Sequence, residues 1–319
     1  MCSTLITGGM GFIGASLARK LLEKGQKVIA TYHVTKTSPF IEDIKDKIEL
    51  VNLDVSNWVE VISTVKSYQV TTIFHLAYVL TVPSERNVWR AYKVNVDGFY
   101  NVLEAARIFN AKIMYTSSTG TFADVTGKIT DDSPQRPYTF YGICKVFNEM
   151  LGKYYRRKFG VDFRCLRLPP VVGPAVKTPG AAQYNSWMIE HAALGKPYEA
   201  YVDEETETPI VYYKDVINGL IKLSETPAEK IKTVVYNIVW GKIKAGQLAE
   251  IIKRYVPDAK IIFKPDPWTV KHLARYKSME IDDSRAREEW GWKPEYSPER
   301  MVKDFIEEVR LLYKEGKIS

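Results

Sequence analysis

The chain has 319 residues, of which 45% are hydrophobic and 26% are charged, as in an ordinary globular protein with one large domain or two modest ones. Its formal net charge is +7, but the basic residues are spread along the chain and mixed with acids, which argues against a nucleic-acid-binding protein. No apolar run reaches the length of a membrane span, and no His, Cys or acidic residues have the spacing of a metal site.

A glycine-rich turn comes almost at the start of the chain, between a short apolar segment at 4–7 and a helical pattern at 12–22. Gly8, Gly11 and Gly14 have the spacing G-x-x-G-x-x-G. We expect Gly8 to permit a tight turn, Gly11 to let a pyrophosphate approach the backbone, and Gly14 to let the helix pack closely. Free N–H groups at a helix N-terminus hold anions, so the turn predicts a dinucleotide site, although a plain glycine turn has the same spacing.

The segments after this turn alternate between strand and helix patterns. Further strands are predicted at 27–33, 47–55, 70–78, 111–118 and 161–169, and helices at 58–68, 85–109 and 141–159. This alternation predicts an α/β fold of the Rossmann type, in which a doubly wound parallel sheet binds ligands at the carboxyl ends of its strands.

The pattern changes after Pro169, where a segment rich in proline and glycine leaves the sheet. A helix is predicted near 181–194, and 208–225 is predicted to return to the sheet as a strand and a helix. The predicted domains are a dinucleotide-binding domain over 1–169 with 208–240, and a smaller C-terminal α/β substrate-binding lobe over 170–207 with 241–319. The substrate is expected between the two.

Tyr141 and Lys145, in the segment YGICK, are one helical turn apart and project from the same face of a predicted helix. A tyrosine is a poor base near neutral pH, but a neighbouring ammonium group favours its phenolate. Such a tyrosine can take a proton from an alcohol or return it to a ketone. Ser118, at the end of the fifth predicted strand, can hydrogen-bond the same substrate oxygen. Taken alone, the same spacing also occurs in ordinary surface pairs.

The order of these features along the chain, from the glycine turn through DV, HLA, YKVN and SS to Y-x-x-x-K, resembles the extended branch of the short-chain dehydrogenase/reductase superfamily. The resemblance covers nearly the whole chain. Within that branch it is nearest to the short-chain type of L-threonine 3-dehydrogenase. It implies an enzyme that transfers hydride between a nicotinamide and a secondary alcohol or ketone, with Ser118, Tyr141 and Lys145 as its catalytic triad.

The same resemblance assigns the remaining contacts. Asp54 and Val55 are expected at the adenine, and the HLA segment forms the floor beneath the cofactor. The expected dinucleotide-binding residues are Gly8, Gly11, Phe12, Ile13, Gly14, His33, Lys36, Asp54, Val55, Leu76, Ala77, Asn95, Tyr141, Lys145 and Pro169. The expected substrate-binding residues are Ser118, Thr119, Tyr141, Gly180, Tyr184 and Trp187, although core packing explains the two aromatic residues equally well.

Two other functions were weighed against this one. Nucleotide-sugar 4-epimerases and dehydratases usually carry an Asn where this chain has Pro170 and a diphosphate-binding Arg where it has Thr208. Non-catalytic dinucleotide-sensing proteins typically lack the tyrosine and lysine. The match to threonine dehydrogenases also has a gap, because the segment GAAQY at 180–184 lacks the hydroxyls and carboxylate expected there, which leaves the substrate open.

The second predicted strand ends in ATYHVTK, without the acidic residue that usually binds the 2′-hydroxyl of NAD. A carboxylate there would repel a 2′-phosphate, so its absence favours NADP over NAD. His33 and Lys36 are expected to donate to that phosphate. The alternative is that both are solvated loop residues and NAD binds through Tyr32 and the backbone.

The first strand starts near Ser3, which leaves no room for a targeting peptide, and Cys2, Cys144 and Cys165 have no disulfide or metal pattern. We therefore expect reduced thiols in a cytoplasmic protein, with Cys144 in a packing role. The expected partners are a small-molecule substrate and a second copy of the chain. The homodimer would form through the two long helices, whose outward-facing candidates are Trp89, Tyr92 and Tyr155.

Overall fold

A computed structural model describes residues 3–318 of the chain. The strands are β1 (Ser3–Thr7), β2 (Lys27–Tyr32), β3 (Glu49–Asn52), β4 (Thr72–His75), β5 (Lys112–Ser118), β6 (Gly127–Ile129), β7 (Phe163–Leu168), β8 (Val171–Val172), β9 (Tyr198–Ala200), β10 (Glu207–Tyr212), β11 (Val235–Asn237), β12 (Gly241–Lys244), β13 (Ile261–Phe263) and β14 (Met279–Ile281).

The helices are α1 (Phe12–Glu23), α2 (Trp58–Ser67), α3 (Thr81–Arg86), α4 (Val88–Tyr92), α5 (Gly98–Ile108), α6 (Phe140–Phe159), α7 (Tyr184–Ala193), α8 (Tyr213–Glu225), α9 (Ala245–Tyr255), α10 (Pro267–Leu273), α11 (Ser284–Trp290) and α12 (Pro298–Lys314). No helix within residues 3–318 has both the length and the apolar character that a membrane crossing requires.

The described residues form two compact units. The first comprises 3–121, 135–167 and 217–236, and the second comprises 122–134, 168–216 and 237–318. The sequence prediction had placed 122–134 and the strand near 208 in the first of its two domains. In the structure that strand, β10, pairs with β8 and β12 in a three-stranded sheet of the second unit.

A seven-stranded sheet forms the centre of the first unit, in the order β11-β7-β5-β4-β1-β2-β3. Neighbouring strands run parallel, with Leu5 of β1 beside Ile29 of β2 and Ile73 of β4. All three side chains are fully buried, as expected for a parallel sheet with helices on both faces. The predicted Rossmann-type fold is confirmed.

The segment predicted as one helix over 85–109 is not continuous, and that prediction is wrong. Asn87 ends α3 and caps α4, because its side chain accepts a hydrogen bond from the N–H of Arg90. A π-helical turn over Lys93–Asp97 then separates α4 from α5. A π turn accommodates one extra residue, and here it carries the buried Asn95.

The outward-facing residues of the two long helices also differ from expectation. Trp89 is 69% exposed and Tyr92 is exposed as predicted, but Tyr155 is only 5% exposed. The Tyr155 prediction is wrong because its hydroxyl donates a hydrogen bond to Glu104 of α5, which turns the ring into the contact between the helices. Cys144 and Cys165 are free and buried, whereas Cys2 lies outside the described residues.

Candidate active site

Helix α6 carries Tyr141 in its first turn and Lys145 one turn later. The helix begins at Thr139, whose side chain accepts a hydrogen bond from the N–H of Gly142. A Cβ atom at Gly142 would lie 3.3 Å from the carbonyl oxygen of Gly120, so the start of α6 packs directly against the turn that follows β5. That Cβ atom would also lie 2.8 Å from Cβ of Pro137, so a larger residue at position 142 would have to displace the proline.

Ser118 ends β5 on the other side of this contact. Its Oγ accepts a hydrogen bond of 3.0 Å from the N–H of Gly120, which fixes the side chain while leaving its proton to be donated elsewhere. The next residue, Thr119, is buried, and its Oγ1 has no hydrogen-bond partner among the described residues. The structure therefore brings the end of β5 and the first turn of α6 together.

The ammonium group of Lys145 is buried behind this contact. Its Nζ donates a hydrogen bond of 2.6 Å to the carbonyl oxygen of Thr116 in β5 and lies 5.5 Å from the ring centroid of Tyr141. Burial lowers the pKa of Lys145 to about 7, against the opposing influence of nearby groups that include Glu149. A cation held this close to a tyrosine ring can stabilise the phenolate that proton abstraction requires.

The glycine turn lies at the N-terminus of α1. Gly8 has a positive φ of 68°, and a Cβ atom there would lie 2.8 Å from the backbone nitrogen of Ala77. A Cβ atom at Gly14 would lie 2.3 Å from the carbonyl oxygen of Gly8. Gly11 is the N-cap and provides no side-chain cap for the first N–H groups of the helix, which include those of Phe12 and Ile13. This uncapped helix start suits the pyrophosphate of a dinucleotide.

The loop after β4 lies beside this turn and is held by hydrogen bonds to buried side chains. Oγ1 of Thr7 accepts hydrogen bonds of 3.2 Å from the N–H groups of both Leu76 and Ala77. It also contacts Nδ1 of His75 at 2.8 Å, and burial lowers the pKa of His75 to about 3, so the imidazole is neutral. These bonds bring the predicted floor residues against the glycine turn.

Asn95 fixes the next part of the same loop from the π turn. Its side chain accepts from the N–H of Val79 at 2.7 Å and donates to the carbonyl oxygen of Val79 at 3.0 Å. Asn148 of α6 in turn donates to the carbonyl oxygen of Asn95 and to the hydroxyl of Tyr115. The loop, the π turn and α6 thus share one buried hydrogen-bond network.

Comparison with known proteins identifies the family. The model of the NAD dependent epimerase/dehydratase family matches residues 4–239. The chain belongs to this family. It is similar to the mitochondrial L-threonine 3-dehydrogenase of Bos taurus, with 31% identity over 93% of this chain and 80% of that protein, and to an uncharacterized epimerase/dehydratase of Staphylococcus epidermidis, with 33% identity over 99% and 100%.

Solved structures of the family agree with this result. The L-threonine dehydrogenase of Clostridium difficile superposes with a TM-score of 0.89 at 31% identity, covering 99% of both chains. A monomeric L-threonine 3-dehydrogenase from a metagenome superposes with a TM-score of 0.88 at 27% identity, covering 97% of this chain and 99% of that one. This family member is an oxidoreductase of the extended short-chain dehydrogenase/reductase type with a nicotinamide dinucleotide cofactor, which confirms the predicted family and enzyme class.

The residues expected at the adenine end of the family's cofactor lie at the ends of β2 and β3. Oδ1 of Asp54 accepts from the N–H and hydroxyl of Ser56, and Val55 is buried against Gly98. His33 and Lys36 are both exposed, and the Lys36 ammonium lies 5.8 Å from the ring centroid of Tyr32. A small cavity opens beside Lys36. Its lining residues are Lys36, Thr37, Ser38, Ile41, Glu42, Lys45 and Leu50.

Three residues expected at the substrate belong to the second unit, as does Pro169 after β7, whereas Ser118, Thr119 and Tyr141 belong to the first. Gly180, Tyr184 and Trp187 all contact Tyr201, through its hydroxyl in the first case and its ring in the other two. Tyr184 is fully buried, and burial raises the pKa of its hydroxyl to about 12. Pro169 is buried directly after β7. Tyr184 thus belongs to the core of this unit, whereas Trp187 is partly buried and its Nε1 donates a hydrogen bond to the carbonyl oxygen of Val176.

Sequence reasoning missed a buried ion pair next to the helix face that carries Tyr141 and Lys145. Glu149, one turn after Lys145, accepts hydrogen bonds from Arg167 at 2.7 to 3.1 Å, from Gln135 at 2.9 Å and from the hydroxyl of Ser117. Both charged side chains are almost completely buried. Two features of the sequence could have indicated this pair. Glu149 lies one helical turn after Lys145, and the otherwise apolar strand β7 contains a charged residue that needs a partner.

The described residues hold no group of three or more His, Cys, Asp or Glu side chains that could bind a metal ion.

Proposed function

We propose that this family member catalyses reversible hydride transfer between a nicotinamide and a small secondary alcohol, with L-threonine as the first candidate substrate. The observation that carries the proposal is the buried ammonium of Lys145, placed one helical turn from Tyr141 on α6. The relatives named L-threonine 3-dehydrogenase support the substrate class. When bound, the dinucleotide supplies the group that accepts or returns the hydride.

Each catalytic side chain has a separate role in this proposal. The hydroxyl of Ser118 donates a hydrogen bond to the oxygen of the substrate and orients it. Tyr141 takes the proton from the alcohol as the general base, and returns it when a ketone is reduced. The ammonium form of Lys145, held near the ring of Tyr141, favours the phenolate.

Replacement of the general base tests the mechanism. Tyr141→Phe keeps the ring but removes the proton-accepting oxygen, so we expect turnover to fall by ~10²-fold or more, with dinucleotide affinity retained. Tyr313→Phe, at an exposed position of α12, is the matched control and should turn over like the parent. Parent-like turnover in Tyr141→Phe would contradict the assignment.

The substrate is tested by comparing L-threonine with other small secondary alcohols and their ketones while the absorbance of the reduced nicotinamide is followed. Ala181, Ala182 and Gln183 offer no hydroxyl or carboxylate to an amino acid, so a different small alcohol could be turned over faster. A nucleotide sugar is disfavoured because Thr208 is fully buried and bonded to Asn185. Epimerisation of a UDP-sugar without net change in the cofactor would instead favour the epimerase function.

We further propose that the cofactor is NADP. The support is the cavity beside the end of β2, where Lys36 and Lys45 accompany two hydroxyl side chains, although Glu42 also lines it and pairs with Lys45. The dissociation constants of the parent protein for NADP and for NAD test this preference. Lys36→Ala and His33→Ala should each weaken NADP about tenfold and leave NAD unchanged, since each removes a hydrogen-bond donor to the 2′-phosphate. Lys47→Ala, an exposed neighbour, is the control, and tighter binding of NAD to the parent would refute the proposal.

We also propose a homodimer through α5 and α6. The support is an exposed apolar stripe at helical spacing on α6, formed by Ile143, Phe147, Met150 and Tyr154. Light scattering at micromolar concentration should give twice the 36.5 kDa of one chain. Phe147→Glu should give the monomer, whereas Ile262→Glu, at an equally exposed site in the second unit, should not. A monomeric parent would contradict the proposal, and one similar protein is described as monomeric.

A further inference from the structure

Three tyrosine rings surround the ammonium group of Lys145. The ring of Tyr78 is the nearest, with its centroid 3.4 Å from Nζ, and the rings of Tyr115 and Tyr141 follow at 4.7 and 5.5 Å. The face of an aromatic ring carries partial negative charge and attracts a cation within about 6 Å. The side chain of Lys145 therefore ends in an aromatic cage whose closest wall is Tyr78.

Tyr78 contacts the other member of the catalytic pair as well. Its ring meets that of Tyr141 edge to face, with centroids 5.3 Å apart and an angle of 83° between the planes. Its hydroxyl lies 3.5 Å from the carbonyl oxygen of Tyr141. Tyr78 thus contacts both side chains from the loop that follows β4. Burial raises the pKa of Tyr78, so its hydroxyl stays protonated and does not take part in proton transfer.

We propose that Tyr78 is a positioning residue for the reaction proposed above: the face of its ring holds the ammonium of Lys145 beside Tyr141. An ammonium group has three N–H donors, and one of them donates to the carbonyl oxygen of Thr116. The ring face provides the closest further attraction for the positive charge. The inference rests on the proposed function for its catalytic meaning, but the contact itself does not involve a substrate.

The charge of Lys145 depends on all the groups that surround it. These groups are Tyr78 in the loop after β4, His75 in β4, Tyr115 in β5, Tyr141, Cys144 and Glu149 in α6, and Cys165 in β7. Burial, which removes the ammonium from water, is the largest influence and lowers the pKa of Lys145. Loss of an attracting ring face at unchanged burial should lower that pKa further.

Two variants separate the ring face from the rest of the side chain. Tyr78→Leu keeps an apolar group in the space but removes the ring, whereas Tyr78→Phe keeps the ring and removes only the hydroxyl. We expect Tyr78→Leu to lower the pKa of Lys145 by about half a unit to one unit, a three- to tenfold change in its ionisation constant. Tyr78→Phe should keep the value of the parent.

The pKa is measured by NMR on the full chain with lysines labelled at Cε, and Lys145→Met identifies the signal. If Tyr78→Leu does not fold, phenylalanines with increasing ring fluorination introduced at position 78 keep the size of the ring and weaken its negative face. The pKa of Lys145 should then fall stepwise with fluorination. An unchanged titration in Tyr78→Leu or across the fluorinated series would overturn the proposal, as would an equal shift in Tyr78→Phe.

The pH profile of turnover gives a second readout that a purely structural role would not change. The limb of the profile at which Lys145 loses its proton should move to lower pH in Tyr78→Leu and return in Tyr78→Phe. The two proposals also fail separately. The NMR titration needs neither substrate nor cofactor, so a fully active Tyr141→Phe would refute the proposed mechanism while leaving the contact between Tyr78 and Lys145 intact.

Discussion

Removal of Arg167 should destabilise the first unit strongly, because it leaves a carboxylate buried without its counter-charge. Glu149 is fully buried and Arg167 is 1% exposed, and hydrogen bonds of 2.7 to 3.1 Å join them. In Arg167→Leu the carboxylate keeps only its hydrogen bonds from Ser117 and Gln135. We therefore expect the loss characteristic of a broken buried ion pair rather than that of a surface pair.

The expected loss is about 3–5 kcal/mol in the free energy of unfolding, against less than about 1 kcal/mol for an exposed charge. For a unit of this size each kcal/mol lowers the midpoint of thermal unfolding by about 2–4 °C, so the midpoint should fall by roughly 6–20 °C. Replacing both partners, as in Glu149→Leu with Arg167→Leu, removes the uncompensated charge and should recover much of the loss.

Urea and thermal unfolding, followed by circular dichroism, measure these differences. Arg157→Leu removes the same charge from the exposed side of α6 and is the matched control. The reasoning fails if Arg167→Leu loses no more stability than Arg157→Leu, or if the double variant is less stable than Arg167→Leu alone.

Three further predictions follow from the glycine turn and the floor beneath it. Gly14→Ala places a Cβ atom 2.3 Å from the carbonyl oxygen of Gly8, so we expect it to lower the free energy of unfolding in urea by about 1–3 kcal/mol and to weaken dinucleotide binding. The Cβ atom of the control, Gly241→Ala, would meet open space, so neither quantity should change. Thr7→Val removes the side-chain acceptor of the Leu76 and Ala77 N–H groups, of which Leu76 alone also donates to the carbonyl oxygen of Thr7, so the variant should cost about 1–3 kcal/mol, whereas Thr7→Ser should retain the parent's midpoint. The pKa of His75 is about 3 in the folded protein and 6.5 when exposed, so on acidification the unfolded chain binds the proton first. The free energy of unfolding should therefore fall as the pH drops from 6.5 towards 3. An equally steep fall in His75→Gln would show that His75 is not the cause.

The strands and helices around the sheet could be predicted because a parallel sheet is buried on both faces, which makes its strands continuously apolar. The segments 3–7 and 27–32 show this pattern and lie within one residue of their predicted bounds. Parallel pairing then brings the carboxyl ends of β1, β4 and β5 to one edge. That geometry explains why the glycine turn, the HLA segment and Ser118, far apart in the chain, could be assigned to one site.

Helix α6 shows why the rest could not be predicted. Periodicity assigns apolar residues to the buried face, but here Lys145, Asn148 and Glu149 are buried while Phe147 and Met150 are exposed. The buried polar groups are stabilised by partners on β5 and β7 that no local pattern reveals. Tyr155 was misplaced for the same reason, because its burial depends on Glu104 of α5.

The contacts of Tyr78 could not be predicted either, because they depend on the tertiary structure and not on the local sequence pattern. In the sequence it is only the residue after HLA, and nothing in its neighbours indicates that its ring covers a lysine 67 positions later. Gly9 was also missed, although a Cβ atom there would lie 2.7 Å from Cβ of Ala30. Both depend on a close approach between segments that are distant in the chain.

The π turn at Lys93–Asp97 limits how the chain can change in length. Each residue advances an α-helix by about 100°, so a one-residue deletion inside the turn could restore regular helical bonding but would rotate one side of the helix against the other. Either the side chain of Asn95 would lose its hydrogen bonds to the loop at Val79, or Phe99 and Val102 would no longer be buried in the core. Insertions and deletions within these five codons should therefore be selected against among descendants of this gene.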